Sequence, residues 1–593
     1  MVSVEQATGS PRGPRSRGTR FAWLFPDLAV VAATVTLFYC LFLFQGYRRL
    51  FRDSDAGWHI RTGETILATH RLPRTDPYSF SRAGAPWFAW EWLSDLAAGA
   101  THQAAGLTGV ALLYAGAIAA GVWLWFKLHW AVGGNFLLAA AMAPLMLTTA
   151  SLHWMARPHI FGWLFLLAAV LYLERARPPF RAWHLAVTGL FAALWANVHA
   201  SFFLAPLLAL LYAAGCLTRP SIWQGESDSV REKGRWFVWV AAVAAVAPLA
   251  NPYGWGLYGH VFRYLTDSAL LARIGEFQSF DFHSAGSGQI AAGLLMGFGG
   301  GVLALARRRT EHFALAILFG ALALRSARAL PLAALVLLPL ANGAIAECCT
   351  RASGLNARFR AALDGFLAYG ARLRALDSRF SGAVLAPAIL ALCFFLLRTP
   401  AILANTGFPP DQFPVAAYQH IPAGARLFAP DKFGGYLIYR SAGSRKVFFD
   451  GRSDFYGAEF LQQYGRLVQA RPGWRAWWDT FHFTHALLPP DAPLLAALEQ
   501  SGWRRIYADT TAVLLVAGLT DLGETTAPLR PRLGIGSADF ARVTEPLPRG
   551  SGFRSVTHPA RNSKLCVVLQ KSIGNFTAKP GGNRCVHSLK VEV

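Results

Sequence analysis

The stretch LFRDSDAGWHIRTGETI, Leu50 to Ile66, sets Asp53 and Asp55 two residues apart and follows them with Trp58 and His59. Carboxylates at that spacing can work on one reacting group. They can take a proton from a hydroxyl or amine as general base, or ligate a divalent cation through their oxygens. Further along, WFAWEWLSD supplies Glu91, SLHWMARPHI supplies His153, Arg157 and His159, WANVHASF supplies Asn197 and His199, and LRSARALP supplies Arg325 and Arg328. The two arginines of the last segment share a face if it is helical, and guanidinium forks match phosphate oxygens.

Each of these residues also has a plain structural reading. Asp53 and Asp55 would neutralise Arg48, Arg49 and Arg52, and Glu91 would lie on the solvated face of a helix from Trp90 to Gln103. Arg325 and Arg328 would snorkel to lipid headgroups, and His153 and His199 would be hydrogen-bonded structural residues.

The elements that hold these residues follow from composition. Of 593 residues 54% are hydrophobic and 15% charged, more apolar surface than a soluble core can hide, so much of it must face lipid. The formal net charge of +23 sits in short segments between apolar runs, where membrane topology accounts for it, and a nucleic-acid partner is excluded. Hydropathy marks about 11 spans, judged against the ~20 residues needed to cross a bilayer. They are Ala22 to Phe44, Leu107 to Phe126, Asn135 to Ala150, Pro158 to Leu173, Trp183 to Ala196, Ser201 to Leu217, Trp236 to Ala250, Gln289 to Leu305, His312 to Leu324, Ala329 to Ala346 and Gly382 to Leu397. Trp183 to Leu217 also reads as one long kinked element, which would invert everything after it.

Arginines gather in alternate connections, from Arg12 to Arg20, Arg175 to Arg181, Arg231 to Arg235, Arg307 to Arg309 and Arg351 to Arg379, which places these inside. The map is a basic cytoplasmic N-terminus (1–21), a transmembrane domain (22–398) with a large first outer loop (45–106), an outer soluble domain (399–519) and a tail (520–593) whose Pro, Gly, Arg and Ser content is that of a disordered segment. The first span shows no small-residue cleavage site. In the outer domain ARLFAP, GGYLIYR and RKVFFDGR read as strands, Ala458 to Ala470 as a helix, and THALLPP, Leu494 to Gln500 and WRRIYADTTAVLLV continue an α/β alternation to about Ala517. Its Asp431, Asp450, Arg452 and Asp454 read as strand-end and turn residues, Asp450 and Arg452 having contact with an acceptor as their other reading. Trp474, Trp477 and Trp478 read as residues buried against the membrane surface, with stacking on sugar rings as the alternative. Cys566 and Cys585 would pair in an oxidising outer compartment, Cys40, Cys216, Cys348, Cys349 and Cys393 read as apolar fillers, and no spacing matches a zinc site.

A first span, an outer loop with an Asp-x-Asp pair, an interfacial helix, many further spans and a terminal outer domain together resemble the polytopic membrane glycosyltransferases of the GT-C superfamily. LANPYGWGLYGH and DKFGGYLIYR with VFFDGRSDFYG are similar to uncharacterised bacterial membrane proteins grouped with it. The resemblance implies an enzyme that moves a sugar from a polyprenyl-phosphate-linked donor to a glycan, lipid or protein acceptor on the outer face of the bacterial cytoplasmic (inner) membrane. It makes Asp53, Asp55 and Glu91 catalytic, Asp53 and Asp55 the ligands of a divalent cation such as Mg2+ or Mn2+ if one is used, and His59, His199, Arg325 and Arg328 substrate-binding. The alternatives are a non-catalytic transporter or flippase for lipid-linked glycans and an envelope-assembly scaffold.

Overall fold

The computed structural model describes residues 21–223, 228–403 and 407–518; the tail, and with it Cys566 and Cys585, lies outside the described residues. Asp27 opens the first helix, α1 (Leu28–Phe42), accepting the Val30 amide at 2.9 Å, the usual way of satisfying a helix's first donors. A 3-10 turn, Gly46–Phe51, leads through Asp53 into α2 (Asp55–Thr69). Next comes α3 (Trp92–Ala131), 40 residues interrupted at Ala105 and Gly106. Gly106 has φ 61° there, left-handed backbone that glycine adopts freely, and the break turns the segment expected from Trp90 to Gln103 away from the span that follows.

The helical body continues with α4 (Phe136–Ser151), α5 (His159–Arg175), α6 (Ala182–Val198), α7 (Leu204–Ile222), α8 (Asp228–Val246), α9 (Trp255–Thr266), α10 (Ser268–Leu271), α11 (Ser287–Ala306), α12 (Thr310–Arg325), α13 (Leu330–Arg351), α14 (Ala357–Asp377), α15 (Ala386–Leu397) and α16 (Pro400–Leu403). By length and composition Trp92–Ala131, Ala200–Ile222, Ser287–Ala306 and Ala327–Arg351 can cross a membrane, and Leu28–Phe42, Phe136–Ser151, Ala182–Val198 and Ala383–Leu397 are shorter apolar helices. The count of about 11 crossings thus rests on helices of unequal length, several below the ~20 residues of a full span, and stands as a proposal. Small residues let neighbours approach: added side-chain atoms at Gly300 and Gly301 of α11 would collide with Ala341 of α13 and Ala316 of α12.

Segments 183–217 form two helices and not one kinked element. His199 between them is extended (φ −158°, ψ 144°) and is followed by a 3-10 turn, Ala200–Phe203. The start of α6 (His184) and the end of α7 (Cys216 and Leu217) both adjoin the same stretch of α8, at Trp236 and Gly234. The chain therefore reverses at His199.

Polar side chains segregate to the two ends of the helical body. At one end Glu174 accepts from Tyr212 and pairs with His312 (both 2.7 Å), Arg219 chelates Glu311 (2.6 and 2.8 Å), and Lys127 pairs with Asp27. At the other end lie Asp53, Asp55, Arg157, Glu276 and Arg328.

After 407 the chain forms α17 (Asp431–Arg440), α18 (Ser453–Val468), α19 (Trp474–Asp479) and α20 (Pro493–Gln500) around a four-stranded sheet of β1 (Leu427–Phe428), β2 (His485–Leu488), β3 (Arg504–Ala508) and β4 (Val513–Val516), in the order β1-β2-β4-β3. β1 runs parallel to β2 and the rest is antiparallel, with Leu487 opposite Leu514. The strand reading of GGYLIYR is corrected: it is the body of α17, whose Phe433, Tyr436, Leu437 and Ile438 are buried together. That spacing is the helical i, i+3, i+4 pattern. RKVFFDGR is extended only around a single bridge between Ser79 and Val447.

Candidate functional site

Asp53 ends the turn before α2 and its Oδ1 accepts the Asp55 amide at 2.9 Å, anchoring one carboxylate at a helix N-terminus where the dipole favours negative charge. Asp55 is the first residue of α2 and is buried. One guanidinium spans both acids. Arg157 places Nη1 2.8 Å from Asp53 Oδ2 and Nη2 3.1 Å from Asp55 Oδ2, and the same Nη1 lies 2.9 Å from Glu276 Oε1. The expected partners are engaged elsewhere: Arg49 donates to the Tyr39 hydroxyl (2.6 Å) and Arg52 to the carbonyls of Ser151 and Leu152 (3.2 and 2.5 Å). Glu276 sits in a 3-10 turn, Gly275–Phe277, and its second oxygen pairs with Arg328 Nη1 at 3.1 Å. Burial opposes ionisation of Glu276, but Arg157 and Arg328 together hold its carboxyl below the usual range. Asp55 goes the other way. Burial, helped by Asp53 and opposed by Arg157, pushes it up to about 7.

A second acid adjoins this group. Glu91, just before α3, has Oε1 3.5 Å from His199 Nε2. Burial pushes Glu91 up to about 7, against Arg328 and Arg157. The Ser201 amide donates to His199 Nδ1 at 3.1 Å, so that nitrogen carries the lone pair and the ring proton is on Nε2, toward Glu91. Burial, then Arg328 and Arg157, lowers His199 to about 3, which keeps the ring neutral. Gly162 makes room for it, since a Cβ there would stand 2.7 Å from His199 Nδ1. His59, one helical turn past Asp55, holds Asp95 (Nδ1 to Oδ1, 2.5 Å), and both are buried. Asp95 lies four residues past Glu91, within α3, and its pair with His59 joins α3 to α2.

The segment after 407 closes over this end through glycine. A Cβ at Gly435 would collide with the Ser54 carbonyl, one at Gly57 with the Gly435 carbonyl, and one at Gly451 with the Asp55 carboxylate itself. Arg61 donates to the Tyr439 carbonyl from Nε and Nη2 (3.0 and 2.7 Å). Asp450 and Arg452 are buried and paired (2.7 and 2.8 Å), Arg452 also reaches Asp76 at 2.8 Å, and the Tyr456 hydroxyl donates to Asp450. These two residues therefore tie the C-terminal segment to the first loop. Asp454 pairs with His260 of α9 at 3.1 Å.

No protein-family description matches the chain, and no curated protein matches it. Among solved structures it is similar to the oligosaccharyltransferase of Archaeoglobus fulgidus in its apo form, at 12% identity and a TM-score of 0.47, over 80% of this chain and 70% of that one. A likeness of that degree assigns no activity.

Of the residues singled out from sequence, Asp53, Asp55, Glu91, His199 and Arg328 lie in or beside this cluster, and His59 joins it through α2. Arg325 does not. α12 ends at Arg325, Ser326 is extended, and Arg328 belongs to a separate 3-10 turn, so the two arginines share no helical face; Arg325 is exposed. Sequence reasoning passed over Asp95 and Glu276 and gave Arg157 no role. The i, i+4 spacing of Glu91 and Asp95, matching that of Asp55 and His59, was the available signal for the first; nothing local marks Glu276. The donor set does not fit a resident divalent cation. The Oδ2 atoms of Asp53 and Asp55 are both taken by Arg157, and among the described residues no three His, Cys, Asp or Glu are grouped to hold one.

Proposed function

We propose that the protein is a membrane glycosyltransferase that moves a sugar from a polyprenyl-phosphate-linked donor to an acceptor on the outer face of the cytoplasmic membrane. The observation that carries this reading is the convergence of two acids raised to about 7, Asp55 and Glu91, with an arginine-rich group, Arg157 and Arg328, at one end of an apolar helical body. Acids of that kind serve as bases at neutral pH, and guanidiniums offset phosphate charge.

Asp55 takes the proton of an acceptor hydroxyl or amine. The freed electron pair attacks the anomeric carbon, the bond from that carbon to the phosphate oxygen breaks, and the phosphate keeps the bonding electrons. Arg328, with part of its guanidinium on Glu276 and part open, meets that charge as it forms. Asp53 fixes the start of α2, and neutral His199 orients Glu91 as a second acid. The ionisable side chains gather at the ends of helices and leave the apolar interiors clear, which favours transfer over passage of a glycan through the bilayer. The test is sugar transfer from a polyprenyl-phosphate donor by purified protein in liposomes. Absence of transfer with a panel of donors, in protein that keeps its melting temperature, would overturn it.

A further inference from the structure

Three carboxylates from two parts of the chain, Asp53 and Asp55 at the start of α2 and Glu276 in the loop between α10 and α11, meet at one cationic group, the guanidinium of Arg157. Three such acids without a cation would repel one another in a partly buried place. A point ion would draw three oxygens to about 2.0–2.6 Å of one centre. Here the oxygens instead stand 2.8–3.1 Å from two different nitrogens of a planar fork, the spacing of charge-assisted N–H···O bonds. Arg157 is itself held in the short connection between α4 and α5, where its side chain is 16% exposed.

We infer that Arg157 is the built-in cation of this site, and that the protein works without a divalent metal. The guanidinium neutralises Asp53 and orients Asp55, the task a metal would otherwise do, and cannot dissociate. Lysine would not replace it, because a compact ammonium lacks the fork that reaches three acids. The assignment rests on the glycosyltransferase reading only for its activity readout.

The test has two arms. Mn2+ is titrated onto the solubilised full chain and followed by paramagnetic resonance, wild type beside Asp53→Asn. Equal Mn2+ uptake by the two supports the assignment; an ion bound by wild type and lost in Asp53→Asn overturns it. The second arm measures transfer from a polyprenyl-phosphate sugar after EDTA treatment, and again in Arg157→Lys. Turnover within about twofold of untreated protein, and a loss of about tenfold or more in Arg157→Lys, are expected. EDTA inactivation reversed by Mg2+ or Mn2+, or full activity of Arg157→Lys, overturns it. If no variant and no wild type transfers sugar, the glycosyltransferase reading has failed and the Mn2+ arm alone decides the role of Arg157.

Discussion

At Asp55 and Glu91 burial outweighs the nearby guanidiniums and brings both to about 7, whereas at Glu276 the guanidiniums prevail. An acid whose folded value exceeds its unfolded one binds more protons when folded, so its contribution to stability is full below the unfolded value and is lost as pH rises toward 7. We expect the melting temperature to fall between about pH 4 and about pH 7 for this reason. Asp55→Asn and Glu91→Gln should each flatten that slope, and an unchanged slope in both would show that the two groups are not the source. Turnover should move oppositely, rising through about pH 7 as the base ionises. Asp55→Asn should lower turnover by about 10²-fold or more while the protein still inserts and folds, the usual scale for a general base. Full transfer by this variant would remove Asp55 from the chemistry.

Among elements, the seat of α17 on α2 decides how the site is covered. Gly435 and Gly57 allow backbone-to-backbone contact and Gly451 lies against Asp55, so a single methyl group is felt at each. Gly435→Ala should cost about 1–3 kcal/mol, the range for overpacking, read as a lower melting temperature. The break of α12 at Ser326 separates the two arginines in the same way. Arg328→Ala, which removes a charge-assisted contact, should weaken donor use by about tenfold to a hundredfold, ~1.5–3 kcal/mol. Arg325→Ala should change it by less than about twofold. Equal effects in donor titrations would contradict the separation seen in the fold.

For the whole molecule, the two polar ends carry different burdens. Arg219 and Glu311 are a buried, chelated pair far from Asp55 in the fold, at the opposite ends of their helices. Glu311→Gln leaves a guanidinium without its charge partner and should destabilise by about 3–5 kcal/mol, with turnover per folded molecule unchanged; a selective loss of turnover would mean that this end also takes part in the reaction. A topology reporter within 351–379 should read as inside and one after Thr399 as outside, following the distribution of arginine.

The sequence by itself was enough for the membrane character and the apolar helices, and to single out Asp53, Asp55 and Glu91, which the fold brings to one end, because hydropathy and carboxylates beside an apolar run are local signals. It also placed β2, β4 and the helix from Pro493 within a few residues, since short strands and turns are locally encoded. GGYLIYR misled because its β-prone Tyr and Ile argue for a strand and its glycines read as a turn before it, whereas Gly435 is there for the close approach of α17 to the residue before α2 and Gly434 for its approach to Phe449. Tertiary structure alone decided that Arg157, and not Arg48, Arg49 or Arg52, partners the two acids, that Glu276 joins them from more than two hundred residues away, and that His59 belongs with Asp95 and His199 with Glu91. The reason is physical: burying a charge is costly enough that the fold must bring a partner to it, but that cost says nothing about which part of the chain the partner comes from.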